Sequence, residues 1–110
     1  MLQSQLAGIN KAAPGVKCSE VDKACRDVIQ EAGYGKYFMH GTGHGIGLEV
    51  HTLPRISWIN HDPLSENNVI TIEPGIYLAN WGGVRIEDDC HIVDDGCMPL
   101  NKSTKELLVL

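Results

Sequence analysis

The sequence predicts an α+β fold, two helices packed on a mostly antiparallel sheet. Three observations predict it. Apolar residues recur at helical spacing only in the first third of the chain. Past residue 68 the chain runs in β-branched stretches separated by Pro-Gly, Gly-Gly and Asp-Gly turns. Helices gathered at one end of a sequence and strands at the other pack as layers, without the alternation that marks a parallel sheet. At 110 residues the chain makes one domain, 1–110, able to bury roughly two-thirds of its unfolded surface.

In the first helix Leu2, Leu6 and Ile9 stand at i, i+4 and i+7, and Ala7, Ala12 and Ala13 add helix propensity. No capping residue leads into it, so the chain reads as entering in mid-element. Pro14-Gly15 ends it. Ser19 is the expected N-cap of the second helix, with Glu20 and Asp22 in a first turn whose dipole favours acids. Val21, Ala24, Cys25, Val28, Ile29 and Ala32 form its apolar stripe, and Gly33 supplies the stop. "NVITIEPGIYLAN" then reads as a strand, a Pro-Gly turn and a second strand. "WGG" turns the chain into one further long strand, Val84 to Asp94, with Val84 and Ile86 on one face and Arg85 and Glu87 on the other. Ser103 and Glu106 imitate a capping box with too little chain behind them for a helix.

A net charge of −5 disfavours nucleic acid, which needs a basic face. No apolar run approaches the ~20 residues of a membrane span, and the N-terminus lacks the basic head and apolar stretch of a signal peptide. A cytoplasmic address is the expectation. Cys18 and Cys25, like Cys90 and Cys97, are seven residues apart, which matches no zinc-ribbon spacing. Free thiols are expected.

The chemistry concentrates in "HGTGHGIGLEVH", residues 40–51, where His40, His44 and His51 sit among four glycines. Glycine costs ~1 kcal/mol against alanine in a helix, so this stretch is not helical. Extended chain puts His40 and His44 on one face, because their spacing is even. His51 points away unless the glycines bend the strand, as a bulge allows. A mobile glycine loop with incidental histidines is the plainer alternative. Glu73 ends the apolar strand "VITIE", and Glu87 stands between Ile86 and Asp88-Asp89. Acids bounded by apolar strand residues are costly to bury unless paired or coordinated. Glu73 facing solvent at the turn, or Glu87 paired with Arg85, also satisfies the pattern. One imidazole with two carboxylates suits a divalent first-row metal.

These motifs, "HGTGHGIGLEVH", "IEPGIY" and "GGVRIEDD" in that order, resemble the pita-bread metallopeptidases, and most closely their Xaa-Pro branch, prolidase and aminopeptidase P. The resemblance covers nearly the whole chain, including "CSEVDKACRDVIQEAGYG". It implies half of a pita-bread fold and makes His44, Glu73 and Glu87 metal ligands, Glu87 bridging two ions. Manganese is the first expectation, with cobalt or zinc as alternatives. Glu73 is further implied to shuttle a proton between the bridging water and the leaving amine, His51 to stabilise the oxyanion and His40 to contact substrate. Arg85 is implied to support Glu87. The implied substrate is a short proline-containing peptide, cleaved before the proline.

Two departures stand out. Thr52 replaces the acid usual after the third histidine. The family pattern also needs two aspartates and a histidine upstream, and Asp22, Asp27 and Asp62 fall at ordinary helix or loop positions. The chain is therefore expected to be the C-terminal half of a catalytic domain, inactive alone, and a homodimer joined near residues 69–94. A metal-free peptide-binding module and a metal-free C–N hydrolase of the creatinase type are the rivals. His44, Glu73 and Glu87 together disfavour the hydrolase, and disfavour the binding module for the parent protein but not for this fragment.

Overall fold

The glycines and β-branched runs of the second half assemble a five-stranded antiparallel sheet, which a computed structural model describes together with the rest of residues 1–110. In chain order the elements are α1 (Leu2–Lys11), α2 (Cys18–Glu31), a single 3₁₀ turn (Gly35–Tyr37), β1 (Gly43–Gly45), β2 (Thr52–Ile56), β3 (Val69–Ile72), β4 (Gly75–Leu78), β5 (Gly82–Arg85), β6 (Asp88–Val93) and β7 (Gly96–Pro99). The main sheet runs β2-β1-β3-β6-β7, and β4 with β5 forms a separate two-stranded ribbon. Two helices on an antiparallel sheet is the architecture the sequence predicts.

The helices cover one face of the sheet, α1 touching β3 and β7 and α2 touching β2. Val21, Cys25 and Ile29 of α2 meet Ile70, Ile72, Cys90 and Ile92 of the sheet, with Ile9, Phe38, Ile56 and Leu64 closing the core. Burying a side chain of this size contributes ~1.5–3 kcal/mol, so these residues carry the fold. All four cysteines are free thiols. No helix is long and apolar enough to cross a membrane.

Several elements differ from expectation. The buried face of α1 is Ser4, Gln5, Gly8 and Ile9, while Leu6 is exposed. Polar anchoring turned the helix: Ser4 Oγ donates to the Cys25 carbonyl at 2.8 Å and Gln5 Nε2 to Asp88 at 2.8 Å. Lys17, not Ser19, caps α2. The N–H groups of Cys18 and Ser19 donate instead to the Asp62 and Asn60 carbonyls, and Ser19 Oγ pairs with His61 Nδ1 at 3.0 Å. A neighbouring loop thus satisfies the helix start that a serine was expected to cap.

The long strand from Val84 to Asp94 is broken at Ile86-Glu87. Its first part pairs only with β4, and its second part joins the main sheet between β3 and β7. Pro74, which has no N–H to donate, ends the β3 ladder and starts the ribbon away from the sheet. No helix forms at the C-terminus; Lys105 reaches back to Asp88 and Gln5 instead. The main sheet's unpaired edges are β2 and β7, with β3 and β6 inside it, while β4 and β5, also within the 69–94 stretch near which a dimer was expected, leave the outer edges of the ribbon unpaired.

Candidate active site

The register of β1 explains the glycines on either side of His44. A Cβ on Gly43 would collide with the Thr71 carbonyl of β3, and one on Gly45 with the Leu53 carbonyl ahead of Pro54 in β2. Only glycine lets β1 lie this tightly between its neighbours. A register shift between His44 and Gly45 bends the strand, and the loop that follows returns His51 beside His44, ring centroids 4.3 Å apart. This is the bend that the sequence required to bring His51 round.

His44 is held closely. Its backbone N–H donates to Thr71 Oγ1 at 3.1 Å, and Thr71 Oγ1 donates to Glu73 Oε1 at 2.8 Å. The Glu73 N–H donates to the Thr42 carbonyl at 2.7 Å, which fixes the residue where β3 ends. His44 Nε2 then faces Glu73 Oε1 at 3.0 Å. His44 Nδ1 lies 2.8 Å from the Gly45 carbonyl, and a carbonyl only accepts, so Nδ1 carries a proton. A nitrogen lone pair and a carboxylate oxygen cannot face each other bare. The contact calls for a proton shared between the two atoms, or for a metal ion that both ligate from one side.

Glu87 stands in the break between β5 and β6. Burial, followed by the charge of nearby Glu73, pushes its carboxyl above the ordinary range, and Arg85 opposes the shift. Arg85 Nε lies 3.8 Å from a carboxylate oxygen of both Glu73 and Glu87. Two carboxylates sharing one guanidinium across a cleft create a further demand for positive charge. No three His, Cys, Asp or Glu side chains lie close enough together to enclose an ion. His44 and Glu73 meet directly, and Glu87 joins them through Arg85.

His40 lies before β1, on the far side of Gly41. Its Nδ1 donates to the Gly41 carbonyl at 2.7 Å, which leaves Nε2 to accept from Tyr77 Oη at 2.9 Å. Tyr77 in turn accepts from Arg85 Nη1 at 3.2 Å. The β4–β5 ribbon therefore delivers two groups to the site, Tyr77 and Arg85. His40, His44, His51, Glu73 and Arg85 line one open cleft of about 790 Å³, walled by Trp58, Ile59, Leu53 and Arg55. Sequence reading missed Thr71, Tyr77 and Arg55. Threonine alternating within "VITIE" and tyrosine within "GIYL" are ordinary strand residues, and only the ribbon's fold marks Tyr77.

Comparison with known proteins bears on what such a cleft is for. Metallopeptidase family M24 matches residues 1–94. The chain belongs to this family. Every site residue named above lies inside the matched span of the M24 chain. The Xaa-Pro dipeptidase of Pyrococcus furiosus is 48% identical over 108 residues, covering 98% of the chain and 31% of that protein. The Xaa-Pro dipeptidase of Lactobacillus delbrueckii subsp. lactis is 48% identical over 107 residues, covering 97% and 29%. Among solved structures, the Xaa-Pro dipeptidase from Bacillus anthracis superposes with a TM-score of 0.96 at 46% identity, covering 99% of the chain and 31% of its own. The X-Pro aminopeptidase from Thermotoga maritima gives 0.95 at 44% identity, covering 99% and 31%. The chain thus spans about 30% of the length of the relatives it matches.

Proposed function

We propose that the chain is the portion of an Xaa-Pro peptidase that carries three metal ligands, His44, Glu73 and Glu87, of a site completed by residues outside it. The observation that carries the reading is the facing of His44 Nε2 and Glu73 Oε1 at 3.0 Å with Nδ1 already committed to a carbonyl. At that separation the two atoms can serve as neighbouring ligands of one divalent ion, each about 2.1 Å from it. Manganese is the ion we assign, because two carboxylates against one imidazole make an oxygen-rich donor set.

Two such ions, when bound, lower the pKa of a shared water and polarise the scissile carbonyl. Around them the chain's own residues divide the work. Glu73, steadied by Thr71, accepts a proton at its carboxylate and passes it to the leaving amine. His51 donates to the carbonyl oxygen as charge builds there. His40, oriented by Tyr77 and the Gly41 carbonyl, contacts substrate near the proline, and Arg85 holds Glu87 against Glu73. The substrate is a short peptide cut before proline, in the cytoplasm, where reducing conditions keep the thiols free.

Grafting the chain into the Lactobacillus delbrueckii relative, in place of the segment it matches, tests the reading. The graft should hydrolyse Xaa-Pro dipeptides with manganese, and Glu73→Gln should abolish turnover, whereas the isolated chain should show none. A folded graft without Xaa-Pro hydrolysis overturns the proposal.

We also propose a homodimer. Within residues 69–94 the β4–β5 ribbon is unpaired on both outer edges and exposes Trp81 and Val84, and open strand edges with exposed apolar side chains find partners or aggregate. Light scattering on a sizing column should give twice the chain mass, and a monomer at every concentration would refute it.

A further inference from the structure

Arg26 lies outside the cleft, yet it is bonded to the segment that leads into it and stacked on its wall. It projects from α2, one turn after Asp22, whose side chain is fully buried. Asp22 Oδ1 accepts from the Thr42 N–H and hydroxyl, both at 3.0 Å, and from Arg26 Nη2 at 3.1 Å; Oδ2 accepts from Arg26 Nε at 2.9 Å. The other guanidinium hydrogens point the opposite way. Nη1 donates to the Phe38 carbonyl and Nη2 to the His40 carbonyl, both at 2.8 Å. The guanidinium carbon lies over both aromatic rings, 4.0 Å from the centre of Phe38 and 4.6 Å from that of Trp58.

Between the 3₁₀ turn and β1, residues 38–42 belong to no strand. Gly41 and Gly43 would leave their path loose, and no sheet ladder supplies partners. The pair on α2 takes that part, holding alternate backbone groups at Phe38, His40 and Thr42. The His40 ring then packs edge-on against Phe38, centroids 5.2 Å apart. One guanidinium therefore sets the backbone under His40, the ring beside it and the Trp58 wall.

We propose that Arg26, oriented by buried Asp22, is a positioning residue for the His40–Trp58 side of the cleft. A lysine keeps the charge beside Asp22 but cannot hold two carbonyls and stack between rings, so Arg26→Lys separates positioning from charge balance. The substrate-level consequence rests on the peptidase reading above; the geometric one does not.

The test is ring nitrogen NMR of the chain at pH 8. In the native protein His40 should show one tautomer with the proton on Nδ1. In Arg26→Lys its signals should move toward a tautomer mixture or broaden, while His44, His61 and His91 keep theirs. Trp58 fluorescence should become about twofold more quenchable by acrylamide in a Trp81→Phe background, which removes the exposed second indole. In the grafted enzyme KM should rise about tenfold with kcat changed less than about twofold. Should Arg26→Lys fail to fold, the neutral double variant Asp22→Asn/Arg26→Gln takes the same readings. Unchanged His40 signals and unchanged Trp58 quenching overturn the proposal. A silent peptidase assay beside a changed His40 signal counts against the function, not against the positioning.

Discussion

Gly43→Ala places one methyl group where β1 meets β3. The added Cβ would collide with the Thr71 carbonyl oxygen, with the carbonyl carbon at 2.7 Å and Thr71 Oγ1 at 2.9 Å. These atoms have little freedom to yield, because Thr71 is paired across β3–β6 with Asp89 and its hydroxyl bonds Glu73. Overpacking by a single methyl costs ~1–3 kcal/mol, and a backbone neighbour puts this case near the top of that range. At an m value of ~1.5 kcal/mol/M in urea, a loss of ~3 kcal/mol lowers the unfolding midpoint by about 2 M. The His44 N–H bond to Thr71 should weaken at the same time. Gly96→Ala is the control. It meets no atom within 4 Å and needs no left-handed backbone, so alanine there should raise stability by ~0.4–1 kcal/mol. Urea titrations followed by far-UV circular dichroism compare the two. Equal midpoints for the two variants would refute the reasoning that glycine is needed for close approach.

Glu20 accepts the Lys17 N–H at 3.1 Å, and that bond, aided by the Lys11 charge, holds its carboxyl below the ordinary range. A depressed carboxyl adds stability above its unfolded-state pKa and loses it as pH falls through the folded value. Glu20→Gln should therefore lose less stability than the native chain between pH 6 and pH 3, measured as urea midpoints; an identical loss would contradict the assignment. Among the thiols, the neighbouring Cys90 thiol holds Cys97 below its ordinary value, whereas burial pushes Cys25 up to about 11 and raises Cys18, and Cys90 is raised by the adjoining Cys97 and by burial. Iodoacetamide at pH 8 with peptide mass mapping should label Cys97 first, since the thiolate is the nucleophile; Cys25 labelled at the same rate would be the contrary result.

The helices show what local pattern reveals and where it stops. Of the α2 stripe, Val21, Cys25 and Ile29 face the core, Ala24 and Val28 are half-buried and Ala32 is exposed past the helix end, while Gly33 ends the turn with φ of 87°. The α1 pattern misled because its buried positions are Ser4, Gln5 and Gly8, chosen by partners on α2 and β6 that local periodicity does not encode. Ser19 misled for the same reason, its helix start being satisfied by residues 60–62. The break at Ile86-Glu87 follows from a ribbon leaving the sheet, which a run of alternating residues conceals. In the cleft, the histidines and acids stood out by type and by their glycine neighbours. Thr71, Tyr77 and Arg26 did not, because each acts through hydrogen bonds to segments distant in sequence, from residue types that are ordinary for their elements.

The central claim is the proposal that His44 and Glu73, with Glu87 drawn in from the far side of Arg85, take up a divalent cation. Manganese titrated into the isotope-labelled chain at pH 7.5 tests it directly, because the paramagnetic ion broadens signals near it and leaves distant ones sharp. The account predicts that the His44 and His51 ring signals and the backbone of Glu73 broaden first, with His91 unaffected, and that His44→Ala removes the effect. Broadening centred on the exposed Asp94-Asp95 turn, or unchanged by His44→Ala, would contradict it.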